Sequence, residues 1–219
     1  MFYTFFNFFA KITGWPVQFI LFRTKTYYEN KNVQNRQIKG RAIVICNHTS
    51  VFDYPVLMFT FFTRTLRVQM AELLFKKPFL GPLLKLLGGI YVDRYSSDLS
   101  FMAKSEEILN KGGVVGIWPE GRVPKKEEAK PLEFKTGAAF LSLSTDTPVI
   151  PVCTDGSYFN LKHRAHIIIG EPILPSDFYD SNKSEKEIIE NLTAAMREKI
   201  IYLGNELHER KRKDAAKTP

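Results

Sequence analysis

His48 follows the β-branched run Ala42-Ile43-Val44-Ile45, and a carboxylate, Asp53, stands five residues further on in Asn47-His48-Thr49-Ser50-Val51-Phe52-Asp53. An imidazole bonded through one ring nitrogen to a carboxylate is held in one tautomer, and its other nitrogen can take a proton from a hydroxyl. This is two-thirds of a serine-hydrolase triad, with the nucleophile left out. On a regular helix residues five apart point roughly 140° away from each other. His48 and Asp53 therefore meet only if the chain bends between them, as it does where a strand gives way to a helix. The same letters also make a capping box, in which Ser50 caps the helix and Asp53 bonds back to its first amides. Two nucleophiles lie nearby. Cys46 is two residues from His48, but a cysteine inside a buried strand is ordinarily inert packing. Ser50 lacks the G-x-S-x-G elbow that would expose it, and capping accounts for it more simply.

A second candidate site is Trp118-Pro119-Glu120-Gly121-Arg122, followed by Lys125 and Lys126. Glycine just past a strand allows close approach of backbone to a ligand, and arginine offers a bidentate fork suited to phosphate. The plainer reading is a solvated basic turn. Arg94, at the end of Gly89-Ile90-Tyr91-Val92-Asp93, is a further candidate for a phosphate, or a partner for Asp93.

These residues need a scaffold. From Arg41 onward, short apolar or β-branched runs (41–47, 66–70, 89–93, 112–118, 149–154 and 165–170) alternate with helical patterns (50–62, 98–111, 134–144 and 184–203). That alternation predicts an α/β fold, a largely parallel central sheet flanked by helices on both faces. In such sheets ligands bind beyond the carboxyl ends of the strands, which places His48 and the 119–122 turn at one edge.

The chain has 219 residues, enough for one substantial core, and carries 31 Lys and Arg against 23 Asp and Glu. A net charge of +8 favours anionic partners, but the charge is spread without a nucleic-acid motif, so no nucleic acid is expected. Cys46 and Cys153 are far apart and give neither a disulfide framework nor a CxxC zinc site, and the four histidines show no HExxH spacing. No metal and no cofactor are expected.

The first 22 residues hold seven of the 18 phenylalanines and one charged residue, Lys11. Thr4, Asn7, Lys11, Gly14 and Gln18 recur at steps of three and four, a narrow polar stripe beside a broad aromatic face. Pro16 interrupts the run, which predicts a hydrophobic helical pair lying in a membrane interface rather than one spanning helix. Arg23, Lys25, Lys31, Arg36 and Lys39 follow, as cations do on the cytoplasmic side of a membrane element. Three segments result: a membrane-binding pair over 1–28, a main domain over 29–207, and a basic tail over 208–219 read as frayed helix end and disorder.

With these blocks in view the chain resembles the glycerolipid acyltransferases. Asn47-His48 with Asp53 resembles their NHxxxxD signature, Gly88–Arg94 their second block, Pro119-Glu120-Gly121-Arg122 their PEGTR block, and Pro151 within 149–154 their fourth. The resemblance covers roughly residues 40 to 170 and is nearest to the bacterial lysophosphatidic acid acyltransferases. It implies that His48 is the general base on a lysophospholipid hydroxyl, that Asp53 orients it, and that Glu120, Gly121 and Arg122 surround the acceptor's phosphate. It further implies direct attack on a thioester, borne by acyl carrier protein or coenzyme A; the basic balance suits an anionic bilayer, and the cations after the first segment put the domain on its cytoplasmic face. One departure stands out: the Thr between Gly and Arg is missing, so Arg122 follows Gly121 directly, which leaves another lysolipid open as acceptor; the alternative from a different class is a non-catalytic membrane and carrier-binding protein, against which the intact His48/Asp53 pair argues.

Overall fold

The computed structural model describes residues 2–95, 98–160 and 164–216. One sheet holds seven strands: β1 (Lys25–Tyr28), β2 (Ala42–Cys46), β3 (Leu66–Ala71), β4 (Ile90–Val92), β5 (Val114–Ile117), β6 (Val149–Thr154) and β7 (His166–Ile169). Their order across the sheet is β1-β7-β6-β2-β5-β3-β4. Every pairing is parallel except β6 with β7. The alternation of short apolar runs and helical patterns thus produces the expected α/β sheet. Between and around the strands run α1 (Phe2–Leu21), α2 (Asp53–Thr60), α3 (Glu72–Phe75), α4 (Leu80–Leu86), α5 (Ser100–Asn110), α6 (Gly137–Ser144) and α7 (Glu185–Ala216).

Strand β2 sits in the centre and is buried throughout, as befits a strand covered on both faces. Successive side chains leave opposite faces. Ala42, Val44 and Cys46 join Leu57 and Phe61 near α2, Leu84 of α4, and Phe6 and Ala10 of α1. Ile43 and Ile45 join Leu109 of α5, Leu141 of α6, and Leu192, Met196 and Ile200 of α7. The protein therefore has an α1/α2/α4 side and an α5/α6/α7 side, with the carboxyl end of β2 between them.

Three expectations are corrected. The N-terminal segment is one helix, not a pair, and α1 passes through Pro16. Proline removes one helical hydrogen bond, to the carbonyl of Ile12, but tertiary contacts hold the helix on both sides of it. Lys11 is fully buried, and its ammonium donates to the carbonyls of Phe62 at 3.0 Å and Arg64 at 2.7 Å, just past the end of α2. A cation there complements the negative end of that helix, and burial pushes the amine's pKa down to about 8. Beyond Pro16, the Phe159 N–H donates to the Leu21 carbonyl at 3.1 Å.

The second correction concerns the basic tail, where α7 continues to Ala216. Arg210 donates to the carbonyl of Tyr28 at 2.9 Å, Lys211 pairs with Asp155 at 2.5 Å, and Asp214 pairs with Lys25 at 2.5 Å and accepts from the Tyr27 hydroxyl. These ties to the sheet stop the helix from fraying; residues 217–219 of the expected tail lie outside the described residues. Third, Lys25–Tyr28 adds an edge strand and residues 72–86 form α3 and α4 where no regular element is expected.

Candidate active site

The bend needed between His48 and Asp53 is present. The chain leaves β2 at Cys46, turns through Asn47–Phe52, and Asp53 opens α2. Asn47 sets the exit: its side-chain amide donates to the Thr154 carbonyl at 2.9 Å and accepts the Thr154 N–H at 2.8 Å, which extends the β2–β6 ladder by one step made of side chain. His48 Nδ1 then lies 2.8 Å from Asp53 Oδ2.

Asp53 has a fully buried side chain. Besides His48, its Oδ2 accepts the backbone N–H groups of Thr49 at 2.8 Å and Ser50 at 2.9 Å. Its Oδ1 accepts the hydroxyls of Thr49 at 2.6 Å and Tyr158 at 2.8 Å. Burial on its own would raise the pKa of this carboxyl, but the bonds from His48, Thr49, Ser50 and Tyr158 more than offset it and hold the group below the usual carboxylate range. Asp53 is thus ionised at neutral pH and can only accept, so His48 Nδ1 carries the proton of that bond, and in the neutral ring Nε2 bears the lone pair. The capping box and the dyad are one arrangement: the carboxylate that bonds back to the turn amides also orients the imidazole.

Tyr158 was not legible in advance as part of this group. Burial and the Asp53 charge raise its pKa, which keeps it a donor, and its oxygen accepts from Thr154 at 2.9 Å. Gly156 has φ +67°, and a Cβ there would stand 2.7 Å from Thr49 Oγ1, the atom that bonds Asp53. Cys46 is fully buried with its thiol pKa raised well above the ordinary value by desolvation, so it stays a thiol. Ser50 Oγ accepts the Phe52 N–H at 3.2 Å and serves the turn.

The four other candidate residues occupy different places. Strand β5 lies beside β2, so Glu120 reaches the His48 turn: Oε1 accepts the His48 N–H at 2.7 Å and Oε2 the Leu132 N–H at 2.8 Å. Both carboxylate oxygens are thereby engaged with backbone, and Glu120 is 5% exposed. Gly121 adopts φ +72°, a left-handed turn that glycine takes without strain. Arg122 forms a two-pronged ion pair with Glu128, both contacts at 2.7 Å, outside the His48 group. Arg94 contacts Glu72 at 3.4 Å. It follows β4, three strands from β2 or roughly 14 Å across the sheet.

His48 lines a cleft of about 290 Å³ at the carboxyl edge of the sheet. Its imidazole packs against the Trp118 ring at 5.4 Å. An oriented imidazole on a residue that lines a cleft can deprotonate a bound hydroxyl through its second nitrogen.

A family model described as Acyltransferase matches residues 25–155. The chain is 26% identical over 180 residues to the 1-acyl-sn-glycerol-3-phosphate acyltransferase of Bacillus subtilis, covering 80% of this chain and 87% of that protein. It is 29% identical over 161 residues to the human 1-acyl-sn-glycerol-3-phosphate acyltransferase beta, covering 70% of this chain and 56% of that one. The fold resembles that of a 1-acyl-sn-glycerophosphate (LPA) acyltransferase from Thermotoga maritima, with a TM-score of 0.59 at 21% identity, over 90% of this chain and 78% of the other.

Proposed function

This chain belongs to the acyltransferase family, and on that footing we propose that it transfers a fatty acyl group from a thioester, on acyl carrier protein or coenzyme A, to the free hydroxyl of lysophosphatidic acid, giving phosphatidic acid. The observation that carries the reading is the buried Asp53 carboxylate bonded to His48 Nδ1 at 2.8 Å, beside a cleft that His48 lines. Nε2 takes the hydroxyl proton as the acceptor oxygen attacks the thioester carbonyl. The tetrahedral intermediate collapses by breaking the carbon–sulfur bond, and the imidazolium returns its proton to the departing thiolate. Asp53 stabilises that imidazolium and keeps the ring in the useful tautomer. Glu120 acts as a positioning residue: one carboxylate oxygen fixes the His48 backbone and the other the Leu132 backbone.

The acceptor arrives from lipid. Among the described residues no helix is long and apolar enough to cross a membrane. In α1, however, the polar stripe of Asn7, Lys11 and Gln18 is buried against the domain, so the aromatic face points outward, with Phe5 71% and Phe19 67% exposed. Each such ring gains about 1.5–3 kcal/mol on leaving water. Phe2, Phe9, Ile12 and Trp15 lie on the same exposed surface. This supports peripheral attachment in an anionic interface, on the cytoplasmic face given the cations that follow α1. A second reading, the same chemistry on another lysolipid, is favoured by one observation: Arg122 is paired with Glu128 rather than turned toward His48.

The test is His48→Ala assayed for thiol release from an acyl thioester with lysophosphatidic acid. Loss of about 10²–10⁴ in rate with the fold intact is expected; unchanged turnover would remove the base assignment.

A further inference from the structure

The cleft beside His48 does not face the lipid-seeking helix. Its far wall is α7, through Ile200, Ile201, Gly204, Leu207, His208 and Lys211, and α7 packs on the face of the sheet opposite α1. A ligand in this cleft therefore comes from the side turned away from the exposed aromatic surface. Of the two substrates, the water-soluble one fits that approach.

The wall is built rather than incidental. Arg197 of α7 donates to the carbonyls of Pro131 at 3.1 Å and Leu132 at 3.2 Å, and Leu132 donates to Glu120, which holds the His48 backbone. At the other end, Asp155 accepts from Lys211 at 2.5 Å and from His166, which pins the last turns of α7 to the end of β6. The helix, the 124–131 loop and the catalytic turn are thus one connected frame. Within it the lining divides by chemistry. Pro131, Ile201 and Leu207 offer apolar surface, and the Asn205 amide offers a donor and an acceptor. Lys130 and His208 line the same cleft, are exposed, and have no polar partner among the described residues.

We propose that this cleft receives the phosphopantetheine arm of the acyl donor, with its amide-bearing chain along α7 and its phosphate at Lys130 and His208, so that acceptor and donor reach His48 from opposite faces of the sheet. An arm that combines thin apolar segments, amide groups and a terminal phosphate matches the mixed lining, whereas a fatty chain would leave Asn205, Lys130 and His208 unanswered. The proposal rests on the acyl-transfer reading for the identity of the ligand. The arm is common to coenzyme A and to acyl carrier protein.

The experiment titrates desulfo-coenzyme A, which carries the arm without a transferable group, into the full chain and into Lys130→Glu/His208→Glu, with holo acyl carrier protein as a parallel titrant. Binding of either titrant to the wild type, at least about tenfold weaker in the double variant and retained in Lys130→Arg, supports the assignment and shows which source is used. No binding of either to the wild type overturns it. So does a double variant that loses affinity for lysophosphatidic acid while keeping the arm. Because this measurement reads binding and not turnover, a failed thiol-release assay would count against the base assignment and leave this result to be judged separately.

Discussion

His48 and His166 each hold an aspartate through Nδ1, at 2.8 Å and 3.1 Å, and both pairs sit at the same edge of the sheet. What separates them is the third partner. Asp53 is surrounded by neutral donors, from Thr49, Ser50 and Tyr158, so its charge is left to the imidazole. Asp155 is paired with the Lys211 ammonium at 2.5 Å, and its other oxygen accepts the backbone N–H groups of Ser157 and His166. His166 is stacked on Tyr27 and does not line the cleft, whereas His48 does. On the proposed reading a His–Asp pair becomes a base when the carboxylate lacks a cation of its own and the histidine lines a cavity; otherwise it is a clamp, here between the ends of β6, β7 and α7.

The comparison can be broken most directly by exchanging the roles of the two histidines. Alanine at position 48 is expected to lower the rate of thiol release by about 10²–10⁴. Alanine at position 166 should alter it by no more than about twofold, the size of an ordinary perturbation away from the chemistry. Similar losses in both would mean that the third partner does not decide the function.

A smaller effect is expected from Tyr158→Phe, which removes one donor from the ionised Asp53. Chemical denaturation at pH 7 should show a loss of about 1.5–3 kcal/mol, the range for a hydrogen bond to a charged group. An unchanged midpoint would mean that Asp53 does not depend on that hydroxyl for its charge.

The smallest effect sharpens the contrast through pH. Burial alone would raise the Asp155 pKa, but bonds from His166, Lys211 and the Ser157 and His166 amides hold it well below the usual carboxylate range. The unfolded chain takes up this proton near pH 3.9 while the native chain still excludes it. The unfolded state then binds more protons, so the stability from Asp155 is full above that pH and is lost as pH falls below it. Asp155→Asn should therefore be less stable at neutral pH and show a shallower acid loss, read from melting temperatures between pH 3 and 6. An equally steep loss would place the acid sensitivity elsewhere.

Local chemistry was readable in the residues; the direction in which it points was not. His48, Asp53 and the turn between them lie within six positions, so both the dyad and the cap could be anticipated, and they prove to be compatible. Tyr158 completes the group from 105 positions away, through a packing contact that no periodicity encodes. The stripe of Asn7, Lys11 and Gln18 could be seen as a stripe, but a helical period says which residues share a face and not what that face meets. Its burial on the end of α2 turns the aromatic side outward and lets α1 pass through Pro16. The residues from His208 onward resemble a solvated tail because the partners of Arg210, Lys211 and Asp214, which are Tyr28, Asp155 and Lys25, are far away in sequence. Arg122 could be recognised as a fork, whereas its pairing with Glu128 depends on loop geometry.

The central claim is that His48 and Asp53 act as one unit in proton transfer. The most direct measurement is a cycle of single-turnover thiol release for His48→Ala, Asp53→Asn and the double variant. If Asp53 works only through His48, the double variant will be no slower than His48→Ala, because residues that act together lose their effect together. Losses that multiply, with the double variant slower by the product of the two single effects, would contradict it.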